Sequence, residues 1–130
     1  MGGSAQYRGV NRVLNYASGN KKLDKKVADA TNKVLDLAKQ FEAIRNPGSK
    51  PDIGIYKELI SSYGKDNNKY NSIAKQLNNY NRNFKSMSKQ EQKAWDSVND
   101  AITNWHYLRS NQLYTPLTYG ATVPRDALRG

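Results

Sequence analysis

Apolar residues recur with a helical period along the chain from residue 23 onward. From Leu23 to Ile44 they step by 4, 3, 4, 3, 4 and 3 positions, with lysines and aspartates between them. This spacing places one apolar stripe on one face of a helix. We predict that this helix begins near Asn20 or Lys21 and ends at the breaker Asn46-Pro47-Gly48.

A second stripe, rich in tyrosine, runs from residue 56 to residue 84 and keeps its phase across residues 64–68. Because a loop of arbitrary length would usually lose that phase, we predict one long helix over residues 51–87 with a weak or kinked centre near Gly64. Two helices joined by a short loop are the alternative. The Ser62-Tyr63-Gly64-Lys65 sequence also fits the S-x-x-K pattern, but we interpret it as the weak point of this helix.

The last helix begins at a capping box, in which Ser88 is the N-cap and Glu91 follows three positions later. Its apolar face includes Trp95 and Trp105, and we predict its end between Arg109 and Leu113. No stretch of the sequence is typical of a strand. The sequence therefore predicts an all-α, four-helix-bundle-like fold with antiparallel neighbours.

Three segments follow from this organisation. Residues 1–19 are predicted to form a basic N-terminal arm or short helix, since Tyr7, Val10, Leu14 and Ala17 are helically spaced. Residues 20–113 form the helical bundle. Residues 114–130 contain two prolines and no sustained period, which indicates an extended C-terminal tail.

Composition excludes several functional classes. The 130 residues include no cysteine and one histidine, so disulfides, thiolate metal sites and two-histidine chemistry are absent. No apolar run is long enough to span a bilayer, and no hydrophobic leader opens the chain. No phosphate-binding or nucleophile-elbow motif is present. We expect neither a cofactor nor an enzymatic activity.

Positive charge is concentrated in two segments of the chain. The net charge is +10, and residues 1–23 and 67–90 contain no acid. Solvated helices usually mix the two signs, so acid-free segments favour a partner that supplies negative charge. Asparagines in the second segment add hydrogen-bond donors, although A+T-rich coding would also enrich asparagine. The candidate DNA-binding residues are Arg8, Arg12, Lys21, Lys22, Lys69, Lys75, Arg82, Lys85 and Lys89.

Two other features are interpreted as structural. His106 lies beside Trp105, and we expect a satisfied or solvent-exposed structural histidine rather than a catalytic base. Asp96 and Asp100 are one turn apart on the last helix, and we interpret them as its polar outer face. No metal site is predicted.

A basic arm, a helical bundle and a short tail in a cysteine-free chain of this length resemble the major coat proteins of filamentous archaeal viruses, both rod-shaped and enveloped. The resemblance lies in Arg8 and Arg12 of the arm, the stripe of residues 23–44, the basic stretch 67–90 and the helix of residues 95–108. It implies homodimers, or heterodimers with a related coat subunit, that assemble as a helical filament around linear double-stranded DNA in the virion.

Two other functions remain open from the sequence. One is a small helical interaction module of the immunity or adaptor type that binds a protein through the tyrosine-rich stripe, with the cytoplasm as the alternative location to the virion. The other is a basic toxin-like nuclease that uses His106 with a lysine and a tyrosine. The absence of a base-reading motif predicts DNA binding without sequence specificity.

Overall fold

A computed structural model describes residues 20–114 of the chain, and these residues form four α-helices. Helix α1 spans Lys21–Arg45, α2 spans Gly54–Ser62, α3 spans Asn67–Arg82 and α4 spans Lys89–Tyr114, with a 3₁₀ turn at Phe84–Ser86. No strand occurs in this part of the chain. The predicted all-α, four-helix-bundle-like fold is confirmed. The predicted arm over residues 1–19 and the tail beyond Tyr114 lie outside the described residues.

Helix α1 has the predicted bounds. The Asn20 side chain accepts a hydrogen bond of 3.0 Å from the Leu23 amide, which caps the first turn. The helix ends at Arg45, and Gly48 supplies a positive φ of 86° in the turn that follows. At 1.5 Å per residue its 25 residues extend about 37 Å.

Residues 51–87 form two helices, so the prediction of one long helix is wrong. The Ser62 carbonyl accepts from the Lys65 and Asp66 amides, Gly64 has a φ of 80°, and Asp66 caps α3 by accepting from the Lys69 amide at 3.1 Å. The apolar phase survives because this turn carries Tyr63 and Tyr70 to facing positions in the core, where their ring centroids lie 4.9 Å apart.

Helix α4 begins at the predicted capping box. The Glu91 amide donates to the Ser88 hydroxyl at 3.1 Å, and the Ser88 amide donates to the Glu91 carboxylate at 2.8 Å. Hydrogen bonding of the Glu91 carboxylate by the backbone amide and then by the side chain of Ser88 holds the pKa of Glu91 below its usual range. The helix extends through Tyr114, one residue beyond the predicted end of the bundle.

Helices α1 and α4 run antiparallel along most of their length and form the largest packing surface. At one end, Gln112 donates to Asp24 at 2.8 Å. At the other, the rings of Phe41 and Trp95 lie 5.1 Å apart. We call the end at which α1 begins and α4 ends the terminal end, and the other the distal end.

The core is shared by all four helices and is rich in aromatic rings. Both tryptophans are buried, and Val34, Phe41 and Tyr56 are fully inaccessible to solvent. The turn between α2 and α3 meets α4 at the terminal end, where a Cβ atom on Gly64 would lie 2.7 Å from a methyl group of Leu113. The positive φ favours glycine at position 64, and a side chain there would also force the Leu113 methyl group to move.

Candidate nucleic-acid interface

Helix α3 carries the densest group of the predicted DNA-binding residues. Its buried side is formed by Tyr70, Ile73, Ala74 and Leu77. The three cations of α3 are exposed on its other sides, and the helix itself contains no acid: these cations are Lys69, Lys75 and Arg82.

Lys75 and Arg82 share a face of α3 because they are seven residues, or nearly two turns, apart. Their Cα atoms are separated by about 10 Å along the helix axis at 1.5 Å per residue. Lys69 is rotated from that face by roughly 120°. Arg82 also donates a hydrogen bond to the side chain of Asn79, an exposed residue between the two cations.

The remaining candidates lie at the two ends of the bundle. Lys21 and Lys22 are exposed in the first turn of α1, at the terminal end. Lys85 is in the 3₁₀ turn and Lys89 begins α4, so both follow Arg82 at the distal end. The structure therefore spreads the candidates along the length of the bundle and does not gather them in one patch. Arg8 and Arg12 lie outside the described residues.

None of the seven described candidates forms an ion pair with another residue of 20–114. The two ion pairs in this part of the chain are Lys25 with Asp29 at 3.0 Å and Arg45 with Glu42 at 3.3 Å, and both join residues of α1. The cations of α3 therefore keep their charge uncompensated by a direct carboxylate contact, whereas part of the charge on α1 is paired.

The asparagines of α3 differ in what they can offer a partner. Asn81 accepts from the Trp95 indole at 2.8 Å and donates to Asn78 at 2.7 Å, so its amide is used inside the protein. These residues and Asn99 of α4 line a small cleft of about 10 Å³ between the two helices. Asn71 is exposed and remains the available amide beside Lys75.

Helix α4 presents a mixed outer face. Asp96 and Asp100 are exposed, which confirms their interpretation as surface residues.

No group of three or more histidines, cysteines, aspartates or glutamates able to hold a metal ion occurs within residues 20–114. No helix in that range is long and apolar enough to cross a membrane.

Sequence reasoning missed a buried polar network at the distal end, which we call the Glu42 network. The Glu42 carboxylate accepts from the hydroxyls of Tyr56 and Tyr80, each at 2.8 Å, and from Arg45 at 3.3 Å. Burial and the hydrogen bond to Glu42 raise the pKa of Tyr80 to about 12. Burial and the Glu42 charge raise the pKa of Tyr56 further. Both tyrosines are therefore neutral donors at neutral pH.

The Glu42 network joins three helices, because its members come from α1, α2 and α3. The Arg45 guanidinium lies 4.8 Å from the centre of the Tyr80 ring and also donates to its hydroxyl at 3.1 Å. Since Tyr80 is two residues before Arg82, the network fixes the end of α3 that carries this cation.

The two other functions predicted from the sequence depend on side chains that the fold buries. Tyr56, Tyr63 and Tyr70 of the tyrosine-rich stripe are at most 5% exposed, so the stripe is core and not a docking surface. His106 is fully buried, and neither of its ring nitrogens has a hydrogen-bond partner. The expectation of a satisfied or exposed histidine is therefore wrong, because the ring lies within an aromatic cluster that offers it no partner.

The fold and the distribution of charge are thus the observations that bear on function. No protein family, curated protein or solved structure compared with the chain matches it.

Proposed function

We propose that this protein coats double-stranded DNA without reading its sequence. The observation that carries the proposal is the acid-free outer side of α3, on which Lys69, Lys75 and Arg82 are exposed and outside any ion pair with residues 20–114. Phosphates supply the negative charge that such a surface lacks, and binding releases the counterions condensed on the duplex.

The spread of the cations favours an extended partner over a compact one. Helix α3 is 16 residues, or about 24 Å, long, which is close to the length of seven base pairs at 3.4 Å each. Lys21, Lys22, Lys85 and Lys89 extend the charge to both ends of the bundle. A polyanion with a regular charge spacing can contact all of these positions at once, whereas a small anion contacts one.

The same surface favours contacts to the backbone of DNA over contacts to its bases. Lysine binds phosphate as a point charge, and exposed amides such as Asn71 donate to phosphate and sugar oxygens. Asn81, whose amide is used by Trp95 and Asn78, is not available to read a base edge. Sequence-independent binding is the consequence.

The resemblance to viral coat proteins makes this proposal more specific. In the specific version, the protein is a major coat protein of a filamentous virus with linear double-stranded DNA. Its subunits pair as homodimers or with a related chain and stack around the genome, and the protein is found in the virion. The helical bundle and its cationic helix α3 support this more specific proposal.

A salt-dependent binding assay with paired variants tests the proposal. The Lys75→Ala/Arg82→Ala double variant removes two charges from α3. The Lys33→Ala/Lys39→Ala variant removes the same charge from α1, at a groove that includes no described residue of α3. Binding to a fluorescent 30-base-pair duplex is measured from 50 to 200 mM salt with two unrelated sequences.

For the α3 variant we expect the slope of log K against log salt to fall by about 1.8, because each lost phosphate contact contributes about 0.9. The α1 variant should keep the wild-type slope, and the two duplex sequences should bind alike. Equal slopes for the two variants would place the contact elsewhere, and no binding of the wild type at 50 mM salt would end the proposal.

A further inference from the structure

Four buried polar atoms that have no hydrogen-bond partner among residues 20–114 lie close together in the core. They are the Tyr70 hydroxyl, the Trp105 indole nitrogen and both ring nitrogens of His106. The three residues are at most 3% exposed. Nearly all buried polar atoms in proteins are paired, so four unpaired atoms in one place are an anomaly that requires an explanation. We call these residues and Tyr63 the His106 cluster.

The cluster is packed ring against ring. The His106 ring lies 4.7 Å from Tyr63, 6.1 Å from Tyr70 and 6.3 Å from Trp105, measured between centroids. Rings in such contacts exclude water and offer no carboxylate to a cation. A proton on His106 would therefore place a buried charge where no described side chain accepts a hydrogen bond from the ring.

The titratable groups around His106 also fail to stabilise a proton on its ring. The turn after α2 contributes Tyr63, and α3 contributes Tyr70, whose pKa is raised by burial. Helix α4 contributes the buried cation Arg109, one turn away. The acid of α1 at this end, Asp24, already accepts from Gln112. Asp66, which precedes α3, is exposed and caps that helix.

The His106 cluster lies at a contact between helices that holds one end of the bundle closed. It lies where the turn between α2 and α3 meets the last part of α4, at the terminal end. That meeting is held by the hydrogen bond of 2.7 Å between Tyr63 and Ser110 and by the close approach of Gly64 to Leu113. Ser110 also donates to the His106 carbonyl at 2.6 Å, so the same turn of α4 carries both contacts.

We propose that His106 is an acid-sensitive latch: uptake of a proton by its buried imidazole releases the turn between α2 and α3 from α4 and opens the terminal end of the bundle. Residues 20 and 114, the first and last of the described chain, both lie at this end. The proposal does not depend on DNA binding.

The direction of the pH dependence follows from linkage. Burial lowers the pKa of His106 in the closed bundle below the ordinary value of about 6.5 that an open, hydrated ring has. The closed form therefore binds fewer protons than the open form, and its stability falls as the pH falls below about 6.5. The opening equilibrium rises as the pH falls below 6.5, approaching tenfold per pH unit only well below that value, until the pKa of the closed form is reached.

Histidine titration and hydrogen exchange test the latch on the full chain. Because His106 is the sole histidine in the sequence, its ring signals are assigned without ambiguity. Amide exchange, corrected for intrinsic rates, is followed by NMR for residues 63–70 and 106–113 at pH 7.5, 6.5, 5.5 and 5.0. The variants are His106→Phe, which removes both unpaired nitrogens, and Tyr70→Phe, which removes an unpaired hydroxyl and keeps the imidazole.

We expect a ring pKa below 6.5 in the wild type, with a loss of protection of up to about fivefold between pH 6.5 and 5.5 confined to these two segments. Tyr70→Phe should keep this response and His106→Phe should lose it. A ring pKa at or above 6.5, protection that does not change with pH, or an equal response in His106→Phe would overturn the proposal. If His106→Phe does not fold, the wild-type ring titration and the exchange slope decide the matter alone.

Discussion

Replacement of Glu42 should destabilise the bundle more than any other single change to a charged side chain of α1. The carboxylate is 8% exposed and accepts from two tyrosine hydroxyls and one guanidinium. In Glu42→Ala the fully buried Tyr56 hydroxyl loses its acceptor, which costs about 1–3 kcal/mol. The half-buried Tyr80 can hydrate, and the ion pair to the one-third-exposed Arg45 contributes little.

With the lost packing of the one methylene group that alanine does not keep, the cost of Glu42→Ala comes to about 3 kcal/mol, at the lower end of the range found when one partner of a buried pair is removed. Glu42→Gln keeps an acceptor for Tyr56 but replaces charge-assisted bonds by neutral ones, so it should cost about 2 kcal/mol. For a protein whose total stability is on the order of 5–15 kcal/mol, both are large effects.

Urea denaturation followed by circular dichroism at 222 nm measures these differences, with Glu58→Gln as the matched control. Glu58 is exposed on α2, so this change should alter the free energy of unfolding by less than about 0.5 kcal/mol. If Glu42→Gln and Glu58→Gln have the same stability within 0.5 kcal/mol, the Glu42 network does not hold the distal end together and the reasoning is refuted.

Three further predictions concern turns, caps and tyrosines. Both Gly64→Ala and Gly48→Ala place a side chain at a positive φ, but only the side chain at position 64 also meets a methyl group of α4. The thermal midpoint of Gly64→Ala should therefore fall further than that of Gly48→Ala. Equal shifts would contradict the close approach. Ser88→Ala should cost about 1 kcal/mol in a urea titration through loss of the α4 cap, and a change below 0.3 would argue against the capping box. Above pH 10 the bundle should lose stability, because the pKa values of Tyr56 and Tyr80 are raised when it is folded and return to about 10 when it unfolds. Absorbance at 295 nm measures tyrosine ionisation. A titration in which all tyrosines of the folded protein ionise with a midpoint near 10 would contradict this prediction.

The helices could be predicted from the sequence because the patterns that define them are local. The stripe from Leu23 to Ile44 and the cap at Ser88 depend on spacings of three or four residues, and both predicted the observed helices. The sequence favours a weak point within one helix near Gly64 and leaves two helices joined by a short loop as the alternative. Periodicity cannot distinguish the two when the turn returns the chain in phase, and Asp66, a good N-cap residue three positions before Lys69, was the signal that favoured two helices.

The buried polar residues could not be predicted, because their environment is set by residues distant in the sequence. Glu42 meets Tyr56 and Tyr80, which are 14 and 38 positions away. His106 is enclosed by Tyr63 and Tyr70, more than 35 positions earlier, and nothing in its own helix indicates that both nitrogens are unpaired.

The candidate interface was predictable in composition and only partly in arrangement. The acid-free segment identified Lys75 and Arg82, and the helical period places them on one face of α3. Their separation from Lys21 and Lys22, however, depends on which ends of the helices meet. That is fixed by contacts such as the one between Asp24 and Gln112.

Electron microscopy of the protein mixed with linear duplex DNA at low salt tests the central claim most directly. If the protein coats DNA, filaments of uniform diameter should form along the duplex, with either of two unrelated sequences, and should disperse as the salt concentration is raised. Naked duplexes at 50 mM salt in the presence of excess protein would contradict the account.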